Sequence, residues 1–519
     1  MSESQPTLPF TGDEYLESLR DGRSVYIYGE KVEDVTVHPA FRNSARMIAR
    51  MYDALHADDA AERGLIVPTD TGNGGFTHPF FRAPKSVDDL IASRNGIAEW
   101  AKISHGWMGR SPDYKATFLG TLGINHEYYS PYEENARRWY RESQERVLFW
   151  NHAIVNPPID RDLPADEVGN VAVHAVRETE EGIYLSGAKV VATSAAISNV
   201  NFIAYAGPPL KDPRYAVVCA IPMDSPGLKL ICRQSYSVAA QAAGTPFDYP
   251  LSSRLDENDA ILVLDEVFVP WENVFAYGDT EKVSGFLAQS GIDNRIMLQG
   301  CTRLAVKLDF LAGIYMKSLK MTGAGEFRGV QARLGEILAI RNLMWSTTES
   351  MIRNPDPWLD GYVQPNRLAG TVYSWFAVSQ HSRIREIVQE DLGSALIYLP
   401  SHAKDFENEE LRPYLDRYVR GSRGVDAVER VKVLKAMWDA TGSEFASRHE
   451  LYERNYQGTR ENSRIKILQE MQRRGDVDRL IGLADEFLAG YDLDGWNSED
   501  LFDGSDVSVV ESLAGIAEG

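Results

Sequence analysis

The spacing of hydrophobic and polar positions changes twice along the 519-residue chain. From about residue 11 to 150 apolar side chains recur at helical spacing, with irregular interruptions. Thr11 stands three residues before Glu14, the spacing of a capping box, and Tyr15 and Leu19 share one face behind it. Residues 132–150 are charged and aromatic at helical spacing, which predicts a helix with Ala136, Tyr140, Val147 and Trp150 inside. After the turn Asn156-Pro157-Pro158-Ile159-Asp160-Arg161 the pattern becomes alternating or continuously apolar. Segments 171–176, 183–185, 202–206, 215–221, 228–231 and 261–269 read as strands separated by Gly, Pro, Asp and Asn. Beyond about residue 281 long helices return over 303–319, 329–353, 368–397 and 425–442, as a bundle requires.

This order predicts an α+β protein with an N-terminal helical domain over 1–150 and a middle β domain, barrel or sandwich, over 151–282. A C-terminal four-helix-bundle domain over 283–519 ends in an acidic wrapping tail at 492–506. No Gly-x-Gly-x-x-Gly follows any of the strands and no βαβ rhythm is present, so a doubly wound nucleotide-binding fold is not expected. Charge narrows the partners: 54 Lys and Arg against 75 Asp and Glu leave a net charge of −21, which disfavours nucleic acid and anionic membranes. Cys219, Cys232 and Cys301 lie far apart, giving neither a zinc motif nor a disulfide framework. His38, His56, His78 and His105 show no metal-ligand spacing. Residues 1–10 contain no basic region and no apolar run, and the expectation is a soluble cytoplasmic protein.

Three residues carry the candidate chemistry. Arg110 and Tyr114 lie four apart in Gly109-Arg110-Ser111-Pro112-Asp113-Tyr114, and His152 opens His152-Ala153-Ile154-Val155-Asn156-Pro157-Pro158. A phenol titrates near about 10, so a site that uses the phenolate must favour the anion with donors. Arginine supplies a permanent cation with a fixed fork of N–H groups, and imidazole donates or accepts near neutrality. If the segment is helical, Arg110 and Tyr114 stand one turn apart and face one cavity. His152 is then the expected proton carrier, and Tyr114 orients the ring or the oxygen donor through its hydroxyl. Taken singly, each residue also has an ordinary explanation as a surface arginine, a packing tyrosine or a satisfied structural histidine.

Together with longer motifs, these segments resemble the two-component, reduced-flavin-dependent aromatic hydroxylases typified by the large component of 4-hydroxyphenylacetate 3-monooxygenase. The resemblance runs from Gly12-Asp13-Glu14-Tyr15-Leu16 to Arg448-His449-Glu450-Leu451-Tyr452-Glu453-Arg454-Asn455-Tyr456. It implies an acyl-CoA dehydrogenase-like fold and a homotetramer. It also implies reduced FAD supplied by a separate flavin reductase, reaction with O2 to a flavin C4a-hydroperoxide, and hydroxylation ortho to a phenol hydroxyl. By the same resemblance Arg110, Tyr114 and His152 contact substrate and flavin. Flavin contacts fall at His152 and Ile154, from Pro158 to Arg161, at Thr193 with Ser194 beside it, and from Ser443 to Arg448. Tyr205 and Gly207 belong to a loop that covers the substrate in relatives.

The nearest resemblance is to natural-product, antibiotic-pathway members that hydroxylate a β-tyrosine-type ring, chlorinated or not, held as a thioester on a peptidyl carrier protein. The basic cluster Arg412, Arg417, Arg420 and Arg423 is a candidate docking patch for such an acidic carrier. Three alternatives stand beside this reading. They are hydroxylation of free 4-hydroxyphenylacetate or another small phenol, an acyl-CoA dehydrogenase-like flavoenzyme, and a non-catalytic assembly protein.

Overall fold

A computed structural model describes residues 6–493 and 495–497. Residues up to 457 form one compact unit and those from 458 a second. No described helix is long and apolar enough to cross a membrane.

The chain starts as its first pattern requires. Thr11 caps the helix Gly12–Ser18 with a complete capping box, and Tyr15 is fully buried. The helix Glu133–Arg146 buries Ala136 and Tyr140, but it ends earlier than the spacing suggests. Val147 takes a left-handed cap conformation, and Trp150 already belongs to a strand. All four positions are buried nonetheless. The apolar face is therefore read correctly across a change of element.

Ten strands make the two main sheets. In chain order they are β1 (Val25–Ile27), β2 (Glu30–Val32), β3 (Trp150–Ala153), β4 (His174–Glu178), β5 (Gly182–Thr193), β6 (Val200–Ile203), β7 (Val217–Pro222), β8 (Leu228–Cys232), β9 (Asp259–Pro270) and β10 (Val274–Tyr277). The six-stranded sheet runs β2-β1-β8-β9-β5-β4, and the four-stranded sheet runs β10-β7-β6-β3. Two strands of the first sheet come from the N-terminal region, where β1 pairs parallel to β8. Three-residue strands carry too little periodicity to be read in advance. The long β5/β9 ladder is antiparallel and breaks register between Ala260 and Leu262. Opposite that break Val191 adopts φ 55°. A β-branched residue is strained there, as at a bulge that re-aims its side chain.

The helix Ile292–Thr322 organises the helical layers. Its 31 residues, about 46 Å long, lie against Val87–Ile103 and Pro112–Leu122 from the N-terminal part and against Arg328–Arg353, Arg367–Ile397 and Ala427–Thr441 of the bundle. Over residues 297–308 it is buried on every side. Leu298, Cys301, Leu304, Leu308, Leu311 and Tyr315 are buried. Its buried cations have partners: Arg303 and Lys307 both reach Glu453, at 2.5 and 3.0 Å. The second unit holds helices Arg460–Arg473 and Asp476–Leu488 and a short ladder between Tyr491–Asp492 and Gly495–Trp496. Most of the acidic tail expected to wrap the fold at 492–506 lies outside the described residues.

Buried imidazoles set the acid limit of this fold. His78 is fully buried, stacks on Trp100 at 4.3 Å, and burial depresses its pKa to about 4. The unfolded chain takes up this proton below about 6.5 and the folded chain does not, so stability falls as pH drops from 6.5 towards 4. We expect His78→Gln to flatten the dependence of the urea-unfolding free energy between pH 6 and 5 by about 1 kcal/mol per pH unit. An unchanged slope would show that His78 is already charged in the folded state.

Candidate active site

Arg110 sits in the loop before the helix Pro112–Leu122, which Ser111 precedes as N-cap and Pro112 opens. It is therefore not one helical turn from Tyr114, as a continuous helix would have placed it. The two meet because the guanidinium lies flat over the Tyr114 ring, 3.8 Å from its centroid. Two further tyrosines complete a cage. Arg110 Nη1 donates to Tyr452 Oη at 2.8 Å, and the Tyr456 ring lies 5.0 Å from the guanidinium. Gly109 makes this approach possible, since a Cβ there would stand 2.5 Å from Tyr452 Oη. Burial works against the Arg110 cation, but Tyr114, Tyr452, Tyr456 and Glu257 outweigh it and hold its pKa above the ordinary value. Tyr452 and Tyr456 were not among the expected site residues. The signal for them was the four-residue spacing of Arg448, Tyr452 and Tyr456 on one helix face.

His152 reaches the same place from β3. Alternation puts Trp150 and His152 on one face of the strand, and Trp150 packs edge-on to Trp139 at 4.8 Å. His152 lies opposite Phe202 in the parallel β3/β6 pair, its ring 5.3 Å from that of Tyr114. Its Nδ1 faces Lys115 Nζ at 2.5 Å. Burial, then the charges of Lys115 and Arg110, push the His152 pKa well below 6.5. That direction favours a neutral imidazole, which has one nitrogen to donate and one to accept. Lys115, also unexpected, is completely buried among apolar rings. Its Nζ lies 4.3 Å from the Phe202 centroid, and burial followed by the Arg110 charge drives its pKa far down.

A pair of carboxylates ties these parts together. Glu257 accepts from the Arg110 backbone N–H at 2.6 Å and from Arg448 Nη1 at 3.1 Å. Asp259 accepts from Arg448 Nη2 at 2.6 Å, from Arg233 Nε at 2.8 Å and from Thr193 Oγ1 at 2.6 Å. Burial raises the Asp259 pKa, but Arg448 and Arg233 overcome it and hold the carboxyl far below its usual range. Ser194 follows in a left-handed conformation, with its amide donating to the carbonyls of Glu257 and Asn258 at 2.9 and 3.0 Å. Its hydroxyl is buried without a partner among the described residues.

The remaining expected residues line two clefts. Ile154, Pro158, Arg161, Tyr205 and Gly207 surround an open cleft of about 490 Å³, whose wall includes the strained Val191. Lys189 supports this wall from below, donating to Asn156 Oδ1 at 2.7 Å, and burial lowers its pKa to about 7. The loop that follows Tyr205 is pinned by Asp166, which accepts from the amides of Lys211 and Asp212 at 2.7 and 2.8 Å. Ser443 lines a second cleft of about 430 Å³ with Tyr236, Trp438 and Phe445. The Ser443 hydroxyl is already engaged as a helix cap, accepting from Ala446 N and donating to Asp439 O.

Two matches cover most of the chain: 4-hydroxyphenylacetate 3-hydroxylase N terminal over residues 11–276, and its C terminal over 283–485. The chain belongs to the 4-hydroxyphenylacetate 3-hydroxylase family. It is 58% identical to the (3S)-3-amino-3-(3-chloro-4-hydroxyphenyl)propanoyl-peptidyl-carrier-protein monooxygenase of Streptomyces globisporus, over 96% of this chain and 94% of the relative. It is also 58% identical to the 4-nitrophenol 2-monooxygenase oxygenase component of a Rhodococcus species, over 97% and 96%. Among solved structures it matches an oxygenase component of 4-hydroxyphenylacetate 3-monooxygenase complexed with FAD and 4-hydroxyphenylacetate. The TM-score there is 0.84 at 31% identity, covering 92% of this chain and 99% of that one. The α+β, acyl-CoA dehydrogenase-like architecture expected from the sequence is the one found.

The arrangement places a caged cation, a neutral imidazole and a phenol beside β3, whose C-terminal end continues through Ile154 into the wall of the open cleft. Glu257→Ala would leave the Arg110 amide without its acceptor and Arg448 with Asp259 alone, and leaving buried donors unsatisfied costs about 1–3 kcal/mol. We expect that loss in urea unfolding, with Glu257→Gln retaining more than half of the stability. A loss below about 1 kcal/mol would mean that Glu257 does not hold these parts together.

Proposed function

We propose that the chain is the oxygenase component of a two-component monooxygenase that uses reduced FAD and O2 to hydroxylate a phenol ortho to its hydroxyl. The observation that carries this reading is the convergence of Arg110, Tyr114 and His152 from two separate elements. When bound, reduced FAD supplies the electrons with which O2 delivers one oxygen atom to the ring and leaves the other as water. Ile154, Pro158, Arg161, Thr193, Ser194, Ser443 and Arg448 are the residues that would hold the flavin. The apolar cleft wall with Arg161 on it suits a planar heterocycle with a polar edge, and the buried Ser194 hydroxyl lies outside that lining. Arg110 binds the substrate oxygen and favours its anion, which activates the ortho carbon. Tyr114 orients the ring, and the buried surroundings exclude water.

For the substrate, the first reading is a β-tyrosine-type ring tethered to a peptidyl carrier protein, in a cytoplasmic route to an antibiotic-like product. The cleft rim at Ala206, Gly207, Pro208 and Pro209 is exposed, so a thioester tail has an exit to solvent. A free phenol is the second reading, favoured by the equal identity to the 4-nitrophenol enzyme. The expected basic patch also favours it, being partly neutralised. Arg412 pairs with Asp416 and Arg423 with Glu326, both at 2.8 Å. The tethered reading predicts a kcat/KM for carrier-bound β-tyrosine at least about tenfold above that for the free amino acid. A reversed ratio establishes the free phenol.

Arg110→Ala and His152→Ala should each lower product formation about 100-fold or more while leaving reduced-FAD binding nearly intact, so that oxygen consumption becomes uncoupled. Full coupling in either variant would remove that residue from the site. The assembly proposed is a homotetramer, supported by exposed apolar side chains on the bundle at Val372, Trp375, Ile397 and Leu451 and on the helix Asp476–Leu488 at Leu480, Ile481, Leu483 and Phe487. Light scattering during size-exclusion chromatography should give four chains per particle, and a stable active monomer would refute it.

A further inference from the structure

Lys115 takes no part in the chemistry so far, yet it is the residue nearest to His152. It projects from the helix Pro112–Leu122 one position after Tyr114, with its side chain wholly buried. Among the described residues no carboxylate lies within ion-pair distance of it. The groups facing it are the His152 imidazole, the faces of Phe202 and Tyr114 at 4.3 and 5.5 Å, and the charge of Arg110. Asp113, buried one residue earlier, is occupied by Ser111 and Gln299. A lysine without a counter-ion in an apolar pocket is costly unless its nitrogen has a specific partner. Here that partner is His152 Nδ1.

The two imidazole nitrogens are not equivalent in this site. Nδ1 is engaged by Lys115, whereas Nε2 makes no hydrogen bond to any described residue. An ammonium has only N–H donors and can only donate to Nδ1, whereas a neutral amine has two donors and a lone pair and can do either. An imidazole that accepts at Nδ1 carries its proton at Nε2. Resting on the proposed phenol reading, we infer that Lys115 is a positioning residue that fixes His152 as the Nε2–H tautomer, making His152 a donor to the phenolate oxygen instead of the base that deprotonates it. Arg110 and His152 then present two donors to one anion. The substrate binds from solution as phenolate, or sheds its proton to water before closure. Burial and the neighbouring cations reinforce this assignment by keeping His152 from becoming doubly protonated.

The test uses 4-nitrophenol, whose anion alone absorbs strongly in the visible, bound to the full chain with oxidised FAD and no reductant. The probe is read as a difference spectrum across pH. In the wild type its pKa should be depressed on binding. Lys115→Met, equal in length but without a donor, should raise the bound pKa by about one pH unit. His152→Gln, whose amide N–H stands in for Nε2–H, should keep most of the depression, and Lys115→Met should add nothing in that background. The inference is overturned if Lys115→Met leaves the probe pKa unchanged, or shifts it equally in the His152→Gln background. Should Lys115→Met not fold, His152→Gln against His152→Leu decides: equal probe pKa values in these two sink it. Failure of the wild type to bind the probe at all would instead sink the phenol reading itself.

Discussion

Glu257 is the contact on which the rest of the site depends. One buried carboxylate accepts from the backbone of the Arg110 loop and from Arg448 on the helix Glu444–Asn455, while its own carbonyl receives the Ser194 amide. Three segments distant in sequence, around residues 110, 194 and 448, are thereby fixed to one carboxylate residue. Two residues on, Asp259 repeats the arrangement with Arg448, Arg233 and Thr193. Buried ion pairs of this kind contribute little net stability against an apolar alternative, but they are unforgiving of displacement. Their value here is positional, because they hold the Arg110 loop and the Arg448 helix in one arrangement.

Behind this clamp stands a second buried group. Glu453 joins Arg303 and Lys307 of the central helix, and it follows directly on Tyr452, whose hydroxyl accepts from Arg110. Burial raises the Glu453 pKa, but Arg303 and Lys307 more than reverse the effect, so the carboxylate stays charged. The helix Glu444–Asn455 is therefore held on one face by Arg303 and Lys307 and on another by Glu257 and Asp259. Tyr452 and Tyr456 inherit their position from both. The loop before the helix Pro112–Leu122 contributes Arg110, but the bundle determines where its guanidinium lies.

Most of the fold was legible because its elements are long or strictly alternating. The helices Arg328–Arg353 and Arg367–Ile397 and the strand Leu228–Cys232 lie within a residue or two of their apolar patterns. What escaped was short or set by tertiary pairing. The β1/β2 hairpin has three residues a strand, and β3 hides its period behind His152 and Asn151, the latter buried by a bond to Asn201. At the site, motif resemblance identified Arg110, Tyr114 and His152, and the structure brings them together. Glu257, Asp259 and Lys115 were invisible for a physical reason. An acidic residue among 75 and a lysine on a helix read as solvated surface until burial is known.

A flavin-dependent phenol hydroxylase must place one atom of molecular oxygen on the carbon beside the phenol hydroxyl. Single turnover of the purified chain with chemically reduced FAD, a phenol and 18O-labelled O2, with no reductase present, tests this most directly. The account predicts a catechol carrying one labelled oxygen ortho to the original hydroxyl. Product labelled only from water, or no catechol while O2 is consumed, would contradict it.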